Sequence, residues 1–195
     1  MKRILIIAVL ALALSASCKN AANPTGPFAA ATFYSFDSSL DGWNSMGTAN
    51  ETLSINTDAA YIKAGAGSVK CTATLSSTGS KAIIFYKAFG TNQSLTSRTV
   101  TLWVYVPVAL SAMSPGYYID LNIKRSSMPN PDTIYGPALN TSGWKSCTYT
   151  IPAYSSDGNV THDYSDVTMM YFIVENTGQT PADWTGDLYF DELSW

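Results

Sequence analysis

Trp103 and Tyr105 are two large aromatic residues at alternate positions of the stretch 99–106, opposite an unbroken set of valine and leucine. Successive side chains of a strand point to opposite faces of a sheet, so the aliphatic set predicts the core face and the aromatic pair the outer face. Two adjacent exposed aromatic residues favour contact with a ligand or a partner, unless a loop covers them. Flat rings with a polar tip also suit stacking on sugars.

The stretch 116–124 alternates in the same way but carries polar groups. Tyr118, Asp120 and Asn122 lie opposite isoleucine and leucine side chains, which predicts that the three share an outer face. A face of this composition is either simply solvated or a platform for a sugar. In the second case the ring stacks on the sugar, while the carboxylate and the amide hydrogen-bond its hydroxyl groups.

The side chains that catalysis would need are few. His162 is the single histidine, predicted in a polar loop, and nothing around it resembles a nucleophile elbow. One histidine and scattered cysteines give no zinc-binding spacing. Glycoside hydrolysis needs only two carboxylates, but the Glu-x-Asp-x-x-Glu arrangement of jelly-roll glucanases is absent. We therefore predict that the protein is not an enzyme.

The segments that must position these residues are short runs rich in Val, Ile, Thr, Tyr and Phe, separated by Gly, Pro, Asn, Asp and Ser. About ten dissimilar strands at near-regular spacing predict an all-β fold, a two-sheet antiparallel β-sandwich of the jelly-roll type. The predicted strands are 32–37, 51–56, 60–63, 68–75, 81–89, 99–106, 116–124, 145–151, 167–174 and 187–195.

The N-terminus has the layout of a secretory signal peptide, with basic residues, an apolar run over 4–14 and small residues before Cys18. The apolar run is too short to cross a bilayer. We expect residues 1–17 to be a signal peptide, 18–31 a flexible tether and 32–195 one domain. The position of Cys18 resembles the lipobox of bacterial lipoproteins, where that cysteine is lipidated, although Ser15 stands where leucine is usual. Ordinary cleavage that leaves a soluble protein is the alternative.

The net charge limits the classes of partner that the protein can bind. Without Lys2 and Arg3 the chain has 9 basic and 14 acidic side chains, a net charge of −5, and no basic cluster, so we predict no nucleic-acid partner.

Cys71 and Cys147 lie in predicted strands among apolar residues. They are either buried thiols or, in an oxidising compartment, a disulfide, provided that their strands lie within bridging distance.

Four segments in order resemble the β-jelly-roll carbohydrate-binding modules and their galactose-binding-like relatives. They are Phe36-Asp37 with Asp41-Gly42-Trp43, then 66–70 (AGSVK), then Gly143-Trp144, and finally 188–193 (LYFDEL) as a closing strand. The resemblance spans essentially the whole of 32–195. It identifies a superfamily rather than a ligand.

Together with the N-terminus, the resemblance implies an exported, lipid-anchored monomer of the bacterial cell envelope, at the outer membrane or the cell surface, that binds a polysaccharide or glycan. Contact with the membrane is expected only through the anchor. In this family the site usually lies on the concave sheet or in the loops at one edge. The candidate ligand-binding residues are Trp103, Tyr105, Tyr118, Asp120, Asn122 and Tyr171, although each of the aromatic ones can instead pack in the core. Trp43, Trp144 and Trp195 match framework positions and are predicted in the core.

The family also commonly has a structural Ca²⁺ that ties the first strand to the last. The matching positions are Asp37, Asp191 and backbone oxygens around Lys63–Ser68, and Ca²⁺ prefers such mixed oxygen ligands. The alternative is that Asp37 caps a turn and Asp191 is merely solvated. The alternative function is a structural or adhesive surface lipoprotein that keeps the jelly roll and does not bind sugar.

Overall fold

The computed structural model describes residues 33–76, 82–113, 116–157, 160–176 and 183–195, without the side chains of 154–157 and 160–162. The described residues all belong to one unit, residues 31–195. The predicted signal peptide, the predicted tether and Cys18 lie outside the described residues and stay predictions.

Strands dominate the described part of the chain. They are β1 Phe33–Tyr34, β2 Asn44–Ser45, β3 Thr52–Asn56, β4 Ser68–Leu75, β5 Ile83–Gln93, β6 Thr99–Val106, β7 Tyr118–Arg125, β8 Asp132–Ile134, β9 Gly143–Thr150, β10 Tyr154–Asp157, β11 Val160–Asp163, β12 Val167–Glu175 and β13 Trp184–Ser194. A one-turn helix, α1, covers Val108–Ser111, and a 3-10 turn covers Ala59–Tyr61. Within these ranges no helix combines the length and the apolar character needed to cross a bilayer.

Eleven of the described strands form two antiparallel sheets that enclose the core, and β10 and β11 pair with each other as a separate two-stranded antiparallel sheet. The six-stranded sheet has the order β3-β4-β13-β6-β9, with β1 also paired to β13, and the five-stranded sheet has the order β2-β5-β12-β7-β8. Phe85 of one sheet stacks on Phe190 of the other, with ring centroids 4.9 Å apart. The Tyr149 hydroxyl crosses the same interface and donates to the Ile119 carbonyl oxygen at 2.8 Å. The predicted two-sheet β-sandwich is confirmed.

The predicted and the observed strand bounds agree where the alternation of apolar and polar residues is strong, and they differ where the strands are short. The predicted strands 68–75 and 99–106 are β4 and β6. The predicted strand 60–63 is wrong: the 3-10 turn Ala59–Tyr61 covers its first half, and the Asp58 carboxylate caps this turn by accepting a hydrogen bond from the Ala60 N–H at 3.0 Å. The strands β2, β8, β10 and β11 were not predicted because runs of two to four residues are too short to show alternation. His162 lies in β11 rather than in a loop.

The two cysteines of the domain are free and buried. Cys71 is in β4 and Cys147 is in β9, and two strands lie between them in the same sheet. Three steps of about 4.8 Å separate them by roughly 14 Å, whereas a disulfide needs Cα atoms within about 7 Å. The disulfide is therefore excluded, and the prediction of buried thiols is confirmed. Burial raises the pKa of each thiol to about 12.

Candidate functional site

The structure divides the six predicted site residues between the two outer faces of the sandwich. Trp103 and Tyr105 lie on the outer face of the six-stranded sheet, here called the cleft face. The residues Tyr118, Asp120, Asn122 and Tyr171 lie on the outer face of the five-stranded sheet, here called the groove face. The hydrophobic core lies between the two faces. The six residues therefore do not form one site, although each face keeps a set of them.

Cross-strand pairing places two tyrosines side by side on the groove face. Tyr86 of β5 is opposite Tyr171 of β12, and Tyr171 is opposite Asn122 of β7. Thr133 of β8 continues the row next to Asn122. Since neighbouring strands lie about 4.8 Å apart, the row crosses four strands with adjacent side chains. The prediction missed Tyr86, although its alternation with the buried Ile83 and Phe85 was the signal for an outward position.

An open groove of about 490 Å³ lies on this face. Burial raises the pKa of the Tyr171 phenol in its wall. The Lys124 ammonium donates to the carbonyl oxygens of Met128, at 3.0 Å, and Pro129, so its charge is held against the neighbouring loop. The other lining residues are apolar, and the full lining consists of Met46, Ile84, Lys124, Pro131, Met169, Tyr171 and Ile173.

Asp120 and Asn122, predicted to hydrogen-bond a ligand, are each only 4% exposed. The Gly136 N–H donates to the Asp120 carboxylate at 2.7 Å, and the Thr133 hydroxyl donates to the Asn122 side-chain oxygen. Burial raises the pKa of Asp120, and the hydrogen bond from Gly136 opposes that rise. Both residues thus hold β8 and the segment after it against β7, at the side of the groove. Tyr118 is half-buried and lies opposite Glu175 on the same face.

An aromatic row crosses the cleft face. Tyr189 of β13 is opposite Tyr105 of β6, which is opposite Trp144 of β9. Tyr61 lies over this row, parallel to Tyr189 with ring centroids 4.3 Å apart and edge-on to Tyr105 at 5.0 Å. The predicted core position of Trp144 is wrong, because its place in the alternation of β9 directs it outward, where its ring lies 5.6 Å from Tyr105. Trp43 and Trp195 are core residues, as predicted.

Trp103 occupies the next position of this face and is half-buried. The Lys63 ammonium lies over its ring, 4.3 Å from the ring centroid. A cation at this distance is attracted to the ring face. The side chain of Lys63, in the segment after the 3-10 turn, therefore covers part of this tryptophan, which stays partly exposed. Tyr105 is also contacted from above, by Tyr61, but remains partly exposed.

The aromatic row borders a cleft of about 330 Å³. The Asp187 carboxylate at its edge forms an ion pair of 2.8 Å with Lys70 and accepts a hydrogen bond from the Thr72 hydroxyl. Burial acts to raise the pKa of Asp187, but the hydrogen bonds from Lys70 and Thr72 outweigh it and hold the pKa below its usual range. The cleft is lined by Tyr61, Tyr105, Pro107, Val108, Asp187 and Tyr189.

The predicted metal-binding residues converge on the segment that follows the 3-10 turn. Asp191 is fully buried and accepts hydrogen bonds from the N–H groups of Lys63, at 2.9 Å, and Ala64, at 3.2 Å. Asp37 accepts from the Ala66 N–H and, at 2.9 Å, from the Ser35 hydroxyl. Asp191 is therefore not solvated, and burial raises its pKa although these N–H groups oppose the rise.

These hydrogen bonds to Asp37 and Asp191 do not test whether a calcium ion binds there, so the calcium site stays a prediction. No group of three or more His, Cys, Asp or Glu side chains in the described ranges could hold a metal ion. The predicted ligand set contains only two carboxylates and is completed by backbone oxygens, so a count of side chains does not test it. Asp191 Oδ2 accepts both the Lys63 and the Ala64 N–H, whereas Oδ1 accepts, among the described residues, only the Glu192 N–H, at 2.8 Å, so a lone pair for a metal is left on Oδ1.

No protein-family model and no curated protein matches the sequence. Solved structures do match the fold. A structure of carbohydrate-binding modules from the β-sandwich superfamily, described as promiscuous in specificity, superimposes with a TM-score of 0.58 and 18% identity over 80% of this chain. The chain spans 57% of the length of that structure.

Two further matches come from Clostridium thermocellum. The family 11 carbohydrate-binding module of a cellulosomal cellulase has a TM-score of 0.54 and 9% identity, and the match covers 84% of this chain and 92% of that one. An endo-1,4-β-D-xylanase with a CBM22 and a GH10 module, complexed with xylohexaose, has a TM-score of 0.52 and 13% identity over 83% of this chain and 27% of that one. The chain therefore has the fold of the β-sandwich carbohydrate-binding modules.

Proposed function

We propose that the domain binds a polysaccharide or oligosaccharide without catalysis, and that the groove face is its binding surface. The observation that carries the proposal is the row of Tyr86 and Tyr171 on adjacent strands beside an open groove. Aromatic rings and aliphatic side chains can pack on the C–H faces of a pyranose. The phenol hydroxyl groups supply donors and acceptors for its hydroxyls.

The form of the groove favours a chain rather than a deeply enclosed small molecule. Its aliphatic wall, which includes Ile84, Met169 and Ile173, gives non-directional contact along the strands. The Lys124 ammonium donates to loop carbonyl oxygens, which fixes its position in the wall of the groove. Water competes for every sugar hydroxyl at such an open surface, so we expect weak binding.

The structural relatives support the proposal. They are carbohydrate-binding modules, and one of them was solved with xylohexaose as part of a xylanase. Carbohydrate binding needs no catalytic residues. In agreement with a role in binding, this chain carries a single histidine and lacks the carboxylate motif of jelly-roll glucanases. We further propose that the domain acts as an exported monomer anchored through lipidated Cys18, and that Ca²⁺ bound at Asp37, Asp191 and the Lys63 carbonyl oxygen stabilises it.

Affinity gel electrophoresis of residues 32–195 tests the function. We expect retardation by at least one of β-glucan, xylan, mannan or host glycans. Replacing Tyr171 or Tyr86 with alanine removes a ring contact of about 0.5–1.5 kcal/mol, so each variant should bind roughly two- to tenfold more weakly. Circular dichroism would show that the variants remain folded.

Phe33→Ala is the matched control, because Phe33 is an exposed aromatic residue, 57% accessible, in a strand of the opposite sheet. It should be retarded like the wild type. Retardation equal to that of the wild type after the double replacement of Tyr86 and Tyr171 would move the site away from the groove face. No retardation on any of these glycans would favour the structural or adhesive lipoprotein instead.

A further inference from the structure

The cleft face has the features of a binding site in its own right. The cleft of about 330 Å³ lies at the lower end of the range of small-molecule sites, about 300–1,000 Å³. It lies on the outer face of the six-stranded sheet, and the groove lies on the outer face of the other sheet. A ligand in the cleft would therefore not compete for space with one in the groove.

Three tyrosines dominate the cleft, and their arrangement leaves ring surface for a ligand. Tyr189 is only 7% exposed and packs parallel to Tyr61, which supports the more accessible Tyr61 ring from below. Tyr105 meets Tyr61 edge-on and forms a wall. Val108, 70% exposed at the start of α1, adds an apolar rim. Rings fixed in this way lose little conformational freedom when a ligand stacks on them.

The charges at the cleft select the class of ligand. The only carboxylate in the lining, that of Asp187, is neutralised by Lys70 at 2.8 Å. The nearby Lys63 ammonium lies over Trp103 rather than in the cleft. Neither an anionic nor a cationic ligand thus finds an unpaired countercharge among the lining residues. The phenol hydroxyls and the polar atoms of the Lys70–Asp187 ion pair can instead form hydrogen bonds with the hydroxyl groups of a neutral sugar ring.

We propose that the cleft face carries a second site for a neutral sugar, so that one domain holds two glycan chains on opposite faces. This inference rests on the proposed function of the groove face. Simultaneous occupancy would allow a single domain to bridge polysaccharide chains, and binding at two linked sites on one polymer raises the overall affinity without any new contact.

An NMR titration of ¹⁵N-labelled residues 32–195 locates binding at each face separately. The probes are xylohexaose, cellohexaose, laminarihexaose and mannohexaose, with light scattering to establish that the domain is monomeric. With at least one probe we expect saturable shifts in two sets of amides, one around Ile84, Lys124 and Met169 and the other around Tyr61 and Val108.

Two variants block the cleft in different ways. Tyr61→Ala removes the stacking ring, and Val108→Trp fills the cleft from an exposed position without removing any ring of the cluster. Each should abolish saturation of the cleft amides and leave the groove amides unchanged, while Tyr171→Ala should do the reverse. Wild-type domain should also make a solution of the matching polysaccharide turbid, and each single-site variant should not.

The outcomes separate the two proposals. Shifts confined to the groove amides, unchanged by Tyr61→Ala, would overturn the second site and leave the proposed function intact. Shifts confined to the cleft amides would support the cleft and overturn the groove as the binding surface. The absence of shifts at both sets with every probe would overturn both.

Discussion

Asp120 shows at the scale of one residue how the structure changes the meaning of a predicted site residue. Its alternation in β7 indicated an outward position, and the position is outward, but the segment after β8 covers it. A buried carboxylate costs free energy in its charged form, and one hydrogen bond from Gly136 offsets only part of that cost. The charged form of Asp120 therefore lowers the stability of the native state, while its hydrogen bond to Gly136 holds the segment after β8 beside the groove.

The raised pKa of Asp120 predicts a pH-dependent effect of Asp120→Asn on stability. Since the folded-state pKa is raised above the ordinary value of 3.8, the charged form destabilises the native state at neutral pH. The asparagine keeps the oxygen that accepts from Gly136 and loses the charge. We expect a higher thermal midpoint for the variant at pH 7, by a few degrees. The difference should vanish below the unfolded-state pKa, where the wild-type carboxyl is neutral in both states.

Asp187→Asn is the control with the opposite sign. Its pKa is held below 3.8 by Lys70 and Thr72, so its charge stabilises the native state above the unfolded-state pKa, and that contribution is lost as the pH falls through the folded-state pKa. The variant should have a lower midpoint at pH 7 and approach the wild type at low pH. Thermal scans between pH 3 and pH 8 measure both. A parallel response of the two variants would contradict the assignment.

At the scale of elements, two carboxylates join three separate segments of the chain. Asp37 follows β1, Asp191 lies in β13, and both accept hydrogen bonds from the segment 63–66 between the 3-10 turn and β4. Gly65 is needed here, because it has a φ of +72° and a Cβ at its position would press on the Asp37 carboxylate. This junction is also where the calcium ion is predicted.

The calcium proposal predicts a metal-dependent thermal midpoint. A bound ion that stabilises only the native state raises stability with its free concentration. EDTA should therefore lower the midpoint of residues 32–195 by several degrees, and excess Ca²⁺ should restore it. Asp37→Asn keeps an oxygen acceptor for Ala66 but removes a negative charge from the ligand set, so EDTA should affect it less. An unchanged wild-type midpoint in metal-free buffer would show that the hydrogen bonds alone hold this junction.

At the scale of the whole molecule, the sandwich displays two chemically different faces, an aliphatic groove with two adjacent tyrosines and an aromatic cleft with a neutralised ion pair. The proposed anchor, Cys18, lies outside the residues that form these two faces.

The proposed anchor predicts where the full chain is found. Expressed in a Gram-negative host, the wild-type chain should fractionate with the outer membrane and incorporate an alkyne-tagged palmitate, because acyl chains partition strongly into the bilayer. Cys18→Ser should lose the label and the membrane association. Cys71→Ser is the matched control, since its thiol is buried in the sandwich core, and it should keep the label. A wild-type chain that is soluble and unlabelled would indicate ordinary cleavage instead.

The sequence by itself determined the fold class and the two faces of the strands with unbroken alternation. In β4 and β6 the period-two alternation runs for eight residues, so the core set and the outer set are both unambiguous. The same alternation predicted that Trp103, Tyr105, Tyr118, Asp120 and Asn122 point outward, which they do. The short strands were missed because two to four residues cannot define a period.

Only the tertiary structure decided which outward residues share a surface. Alternation tells the two sides of one strand apart but not which sheet the strand joins, and that depends on non-local pairing. β6 joins β13 and β9, whereas β7 joins β12 and β8, which puts Tyr105 and Asn122 on opposite sides of the core. Pairing also places Tyr86 beside Tyr171. A long-range contact from Lys63 covers part of the Trp103 ring, and the segment of Gly136 buries Asp120. Exposure is set by what packs above a residue, and the local sequence does not contain that information.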